Sequence, residues 1–77
     1  MEIQKFIENF AAQFDDTELE VFKPETAFRE LDEYSSIIAL SIIAMIDEEY
    51  GVAISGGEMK SAVTIEELFN IVQAKLD

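Results

Sequence analysis

The chain has 77 residues, 17 of them acidic and 5 basic, a net charge of −12, and neither cysteine nor histidine. One domain this small buries only about 60% of its unfolded surface, without disulfides to staple it. Thiol chemistry, the usual neutral-pH base and the usual transition-metal ligand are excluded. Phosphate backbones and anionic membrane surfaces are repelled, so no nucleic acid is expected as a partner and basic proteins are.

Apolar residues make up 49% of the chain, enough for a core. MEIQKFIENF lacks the basic stretch and apolar block of a signal peptide, so a cytoplasmic protein is expected. Ile3, Phe6, Ile7, Phe10 and Phe14 recur at three- and four-residue steps, which predicts a helix over 2–14. Asp15, Asp16 and Thr17 should end it, because their side chains compete for backbone hydrogen bonds. The pattern is then irregular to Tyr34, with the only proline at Pro24 and with Val21, Phe22, Phe28 and Leu31 available to pin a long loop to the core. A loop of about 20 residues in a small domain is usually functional.

LDEYSSIIALSIIAMIDEEYG, Leu31 to Gly51, predicts a helix over 36–50, capped by Ser35 or Ser36 and stopped by Gly51. Its uncharged run, Tyr34 to Ile46, is 13 residues, short of the roughly 20 needed to span a bilayer. At about 100° per residue, Ala39, Ile42, Ile43, Ile46 and Tyr50 share one face, expected to be core, with Ile38 and Met45 on the flank. The opposite side carries Ile37, Leu40, Ser41, Ala44 and Glu48, with Asp47 beside them: an apolar patch among carboxylates, suited to docking a basic partner. Ser55 to Glu58 and Thr64 to Glu67 both fit capping boxes. They open a short helix over 56–60 and a last one over 65–76, whose apolar face is Ile65, Leu68, Phe69, Val72 and Leu76. No segment alternates like a strand. The fold class is therefore all-α: a small bundle of three main helices and one short one, with a long loop between the first two. Ile7, Phe10, Phe28, Ile42, Ile46, Ile54, Leu68 and Phe69 are expected in its core.

No base adjoins Ser35 or Ser36, so neither reads as a catalytic nucleophile, and no catalytic residue is predicted. A phosphodiester is the modification that suits a serine here, since a helix N-terminus offers free N–H groups and the positive end of the dipole. Asp15, Asp16, Glu18 and Glu20 lack the spacing of a calcium loop, so no metal site is predicted.

Taken together, the chain resembles the acyl carrier proteins over nearly its whole length. The features that carry this are the amphipathic first helix, Pro24-Glu25-Thr26-Ala27-Phe28 leading to Leu31, a serine opening helix two, DEEYG closing it, then VAIS, a short helix and TIEELF. In that family the serine of an Asp-Ser-Leu signature carries 4′-phosphopantetheine covalently. Counting back from DEEYG puts Ser36 at that position, with Ser35 in the aspartate's place and Ile37 in the leucine's. The glycine that usually precedes the signature is absent, Ser41 stands where a glutamate is common, and Asp32 and Glu33 offer charge nearby.

The resemblance implies a single carrier domain over 1–77, a free-standing monomer without membrane insertion and without enzyme activity. Acyl groups would ride as thioesters on the arm at Ser36, in fatty acid biosynthesis or related lipid metabolism, with polyketide, peptide and amino-acid cargo equally compatible. Implied partners are a phosphopantetheinyl transferase and acyl-loading and acyl-processing enzymes with basic docking patches, met by Ile37, Leu40, Ser41, Ala44, Asp47 and Glu48. The acyl chain would enter where isoleucines, Met45 and the phenylalanines of the first and last helices part. The alternative is a carrier-like acidic binding module that has lost modification, which Ser35 in the aspartate's place favours.

Overall fold

The computed structural model describes residues 2–76. Four helices follow in chain order: α1 Ile3–Ala11, α2 Ser36–Tyr50, α3 Gly56–Ser61 and α4 Ile65–Leu76. The α1–α2 loop contains two single 3₁₀ turns, Leu19–Val21 and Phe28–Glu30. Among the described residues no helix is long and apolar enough to cross a membrane.

The 3.6-residue period puts Phe6, Ile7 and Phe10 of α1 into the core. The helix stops at Ala11, three residues before the predicted end. Gln13 and Phe14 bond back to Phe10 and Ala11 in a tighter turn. The N–H groups of Asp15 and Asp16, which would have continued the ladder, go instead to the carboxylate of Glu33. Phe14 remains buried.

In α2 both ends are fixed by local chemistry. The Ser35 hydroxyl accepts the Ile38 N–H at 3.3 Å. Gly51 adopts φ 66°, a left-handed conformation that costs glycine little, and its N–H closes on the Asp47 carbonyl at 2.9 Å. Ile42 and Ile46 are fully buried, as the period predicts. Met45, expected on the flank, is buried as well, whereas Ala39, Ile43 and Tyr50 are only half-buried. The buried stripe is rotated toward α1, which packs against that side.

Ser55 and Glu58 form the predicted capping box of α3, with bonds of 3.1 and 3.0 Å. At α4, Thr64 accepts the Glu67 N–H, but the Glu67 carboxylate reaches Val63, one residue before the expected position. Two further N–H groups of α4, Ile65 and Glu66, are taken by the carbonyls of Thr26 and Pro24 in the long loop. Ala27 and Thr64 form an isolated β-bridge alongside. Thus the loop is a cap for α4, not an excursion.

All six phenylalanines and both tyrosines enter two aromatic clusters. Phe10 meets Phe14, Phe22 and Phe28 at centroid distances of 5.7, 6.1 and 5.3 Å, and Phe28 meets Tyr34 at 5.6 Å. Phe6 meets Tyr50 and Phe69. Phe22 and Phe28 do pin the loop, Leu31 is half-buried, and Val21 is exposed, contrary to expectation. Of the expected core, Phe69 is only half-buried, and Leu76 on the same face of α4 is exposed. Phe69 lies against the Phe6 ring at the edge of the core, and Leu76 falls in the last turn, beyond its cover.

Candidate functional site

The start of α2 divides its two serines. Ser35 is extended, at φ −152° and ψ 174°, and its hydroxyl is occupied as the cap. Ser36 is the first helical residue, exposed, and its hydroxyl has no hydrogen-bond partner among the described residues. The first N–H groups of a helix lack intrahelical acceptors, and only that of Ile38 is met by the cap. A phosphodiester on Ser36 would therefore find free donors and the positive end of a 15-residue helix dipole. These residues fit a covalently attached phosphate group: an exposed hydroxyl and first-turn N–H groups that the cap leaves over.

Glu33 does not supply the charge of the missing aspartate. Its carboxylate is engaged with the segment after α1, accepting bonds from the Asp15 N–H at 2.6 Å, the Asp16 N–H at 3.0 Å and the Thr17 hydroxyl at 2.7 Å. The Thr17 bond, then the Asp15 one, lowers the Glu33 pKa below the ordinary carboxylate range. In effect a single side chain staples the segment entering α2 to the segment leaving α1. Sequence reasoning missed this role, because nothing local links positions so far apart.

Beside Ser36 opens a mainly apolar groove of about 360 Å³ between α2 and α3, floored by Ala39, Leu40, Ile43 and Met59 and flanked by Tyr34, Arg29 and Lys60. Burial pushes the Tyr34 hydroxyl up, against the opposing charge of Arg29. Arg29 holds the groove's far wall in place, donating from Nη1 to the carbonyls of Met59 at 3.0 Å and Ala62 at 2.6 Å. A second anchor of α3 is the Lys75–Glu58 ion pair at 2.9 Å. The Ser55 N–H, and then Lys75, hold the Glu58 pKa below its usual value. The open apolar space lies between α2 and α3 and includes Ile43, while Met45 and the phenylalanines of α1 named from the sequence are buried.

The six residues expected to dock partners fall along one side of α2, and the structure divides them. Ile37 and Leu40 are 76% and 66% exposed, the two most exposed large apolar side chains described. Asp47, Glu48 and Ala44 are exposed and Ser41 is half-buried. Ser41, Ala44 and Glu48 line a polar depression of about 290 Å³ against Asn9 of α1 and Ala12 and Gln13 of the turn that follows it, while Leu40 borders the groove beside Ser36. Nearby, the Asn9 side chain donates to the Tyr50 hydroxyl at 3.0 Å and ties α1 to the end of α2.

A protein-family model described as a phosphopantetheine attachment site matches residues 5–72. No curated protein sequence matches the chain. The matched span contains most of α1, the loop, α2, α3 and most of α4.

Proposed function

The chain belongs to the phosphopantetheine attachment-site family, and on that premise we propose that Ser36 bears the 4′-phosphopantetheine and that the protein is a free-standing acyl carrier. When bound, the group supplies a terminal thiol that holds cargo as a thioester. Everything else asked of the chain is presentation. The observation that carries the assignment to Ser36 is the division of labour at α2: the Ser35 hydroxyl is spent on the cap, and that of Ser36 is free and exposed.

The residues around Ser36 suit the tasks of a carrier. Its phosphate would be held by the free N–H groups at the start of α2. Ile37 and Leu40 beside it offer apolar contact to a partner, and Asp47 and Glu48, further along the same helix, steer a basic surface toward it. The groove bordered by Leu40 shelters a chain between deliveries. Such a protein needs no catalytic group, since a phosphopantetheinyl transferase installs the arm and other enzymes load and process the cargo. We place it in the cytoplasm as a monomer serving fatty acid or related lipid metabolism.

A second reading, an acidic binding module that is no longer modified, is favoured by the neutral Ser35 where the family has aspartate. Intact mass separates the two. Incubated with coenzyme A and a broad transferase, wild type should gain one arm, Ser35→Ala should gain it, and Ser36→Ala should not. If wild type gains nothing while Ser35→Asp does, the module reading takes over.

A further inference from the structure

Resting on Ser36 as the attachment point, we infer that Glu33 is a positioning residue for that attachment. It fixes the approach to α2, so that a phosphopantetheinyl transferase meets the Ser36 hydroxyl already presented. The basis is that the three residues before Ser36 are each tied down by their own side chain, and to three different places. Glu33 reaches the segment after α1 and uses both carboxylate oxygens there: Oε2 accepts the Asp15 N–H, and Oε1 accepts the Asp16 N–H and the Thr17 hydroxyl. Tyr34 sets its ring 5.6 Å from that of the fully buried Phe28, and its N–H donates to the Leu31 carbonyl at 3.0 Å. The Ser35 hydroxyl accepts the Ile38 N–H, and its carbonyl accepts the Ala39 N–H at 2.9 Å. Only then comes Ser36, exposed and with its hydroxyl free.

Of these ties, that of Glu33 has the longest reach. Tyr34 and Ser35 hold to groups within six residues, whereas Glu33 joins positions 16 to 18 residues apart. All three of its donors are neutral, and two are backbone amides, so the carboxylate acts here through geometry and not as a steering charge. Two acceptor oxygens are needed; glutamine offers one, and its NH₂ would face an N–H. In the transfer, the Ser36 oxygen bonds the phosphorus of coenzyme A that carries pantetheine. The bond from that phosphorus to the adenosine bisphosphate breaks, and the hydroxyl proton passes to a base of the transferase. Glu33 touches none of these atoms. It sets the fraction of molecules whose approach is formed before the encounter, and apparent affinity falls with that fraction. Loss of the staple should therefore raise KM and leave kcat alone. For an exposed network the change should be about two- to fivefold.

The test has two arms. In unmodified protein, Glu33→Gln should lower the NMR order parameters of the Tyr34 and Ile38 amides, on either side of Ser35, while Val72 in α4 keeps its own. The second arm measures modification by a broad transferase with coenzyme A, read by intact mass across carrier concentrations. Glu33→Gln should raise KM about two- to fivefold at unchanged kcat. Thr17→Val, which leaves the two amide bonds, should raise it less, and Thr17→Ser, which keeps the hydroxyl, should match wild type. Val72→Ala, a core truncation in α4 assayed below its melting temperature, should lower stability and leave KM in place. The inference is overturned if order at Tyr34 and Ile38 survives Glu33→Gln, if KM is unchanged, if kcat falls instead, or if Val72→Ala raises KM as much. Wild type that gains no mass defeats the attachment reading and this one with it. A modified wild type whose Glu33→Gln variant behaves identically defeats this one alone.

Discussion

Replacing Ser35 and Ser36 by alanine, one at a time, should separate two side chains that differ by one position and a few ångströms. Ser35 provides the side-chain cap of α2, at 3.3 Å from the Ile38 N–H. Losing a serine cap costs about 0.5–2 kcal/mol. This bond is long and exposed, so the lower half of the range applies, about 0.5–1 kcal/mol. For a domain of 60–100 residues, 1 kcal/mol corresponds to about 4–8 °C in Tm. Ser35→Ala should therefore melt about 2–8 °C earlier than wild type. Ser36→Ala removes an exposed hydroxyl without a partner and puts the best helix former in the first turn, so its stability should stay within about 0.5 kcal/mol of wild type. Thermal unfolding followed by circular dichroism at fixed salt resolves the two. Ser35→Asp should recover the melting temperature, since aspartate caps as well as serine and adds charge at the positive end of the dipole. The reasoning is refuted if Ser36→Ala is the destabilised variant, or if both lose equally.

Three other outcomes are expected. Glu33→Gln should raise amide hydrogen exchange at Asp15 and Asp16; because its folded pKa is lowered, the staple should hold above the unfolded carboxylate pKa and release as pH falls through the folded one, so protection that is independent of pH throughout the acid range would count against it. Phe28→Ala empties a fully buried site at a cost of about 3–5 kcal/mol, close to all the stability of a small domain, and denaturant titration should find it largely unfolded while Phe28→Leu folds. In surface-binding kinetics with a basic partner enzyme, Asp47→Lys with Glu48→Lys should slow association in a salt-dependent way, and Leu40→Ala should hasten dissociation; unchanged rates in both would move the docking face off α2.

How legible each element was depended on how local its causes were. The bounds of α2 and α4 were readable because Ser35, Gly51 and Thr64 act on neighbours within four residues. The end of α1 was not, since Glu33 takes the amides that would have extended it from 18 residues away. Within α2 the apolar residues run almost all the way round, so periodicity alone could not choose between Met45 and Ile43 for the interior; the position of α1 did. At the site, the two serines could be ranked from capping chemistry and register. The groove could not be read, because Arg29, Tyr34, Met59 and Lys60 meet Ser36 only after α3 folds across α2.

The bonds from Thr26 and Pro24 to α4 also bear on the order in which the molecule assembles. Helical turns close in about a microsecond, whereas contacts between distant parts of the chain must first overcome the entropy of closing the intervening loop. The loop carbonyls meet Ile65 and Glu66 across the whole of α2 and α3, and the Glu33 staple likewise spans the loop. Helices should therefore form early and the segment entering α2 should reach its native course late. A half-folded chain would already display the acidic side of α2 while the approach to Ser35 and Ser36 was still unformed. The loop's docking is then expected among the last steps of assembly, and it is the step that completes the approach to the two serines.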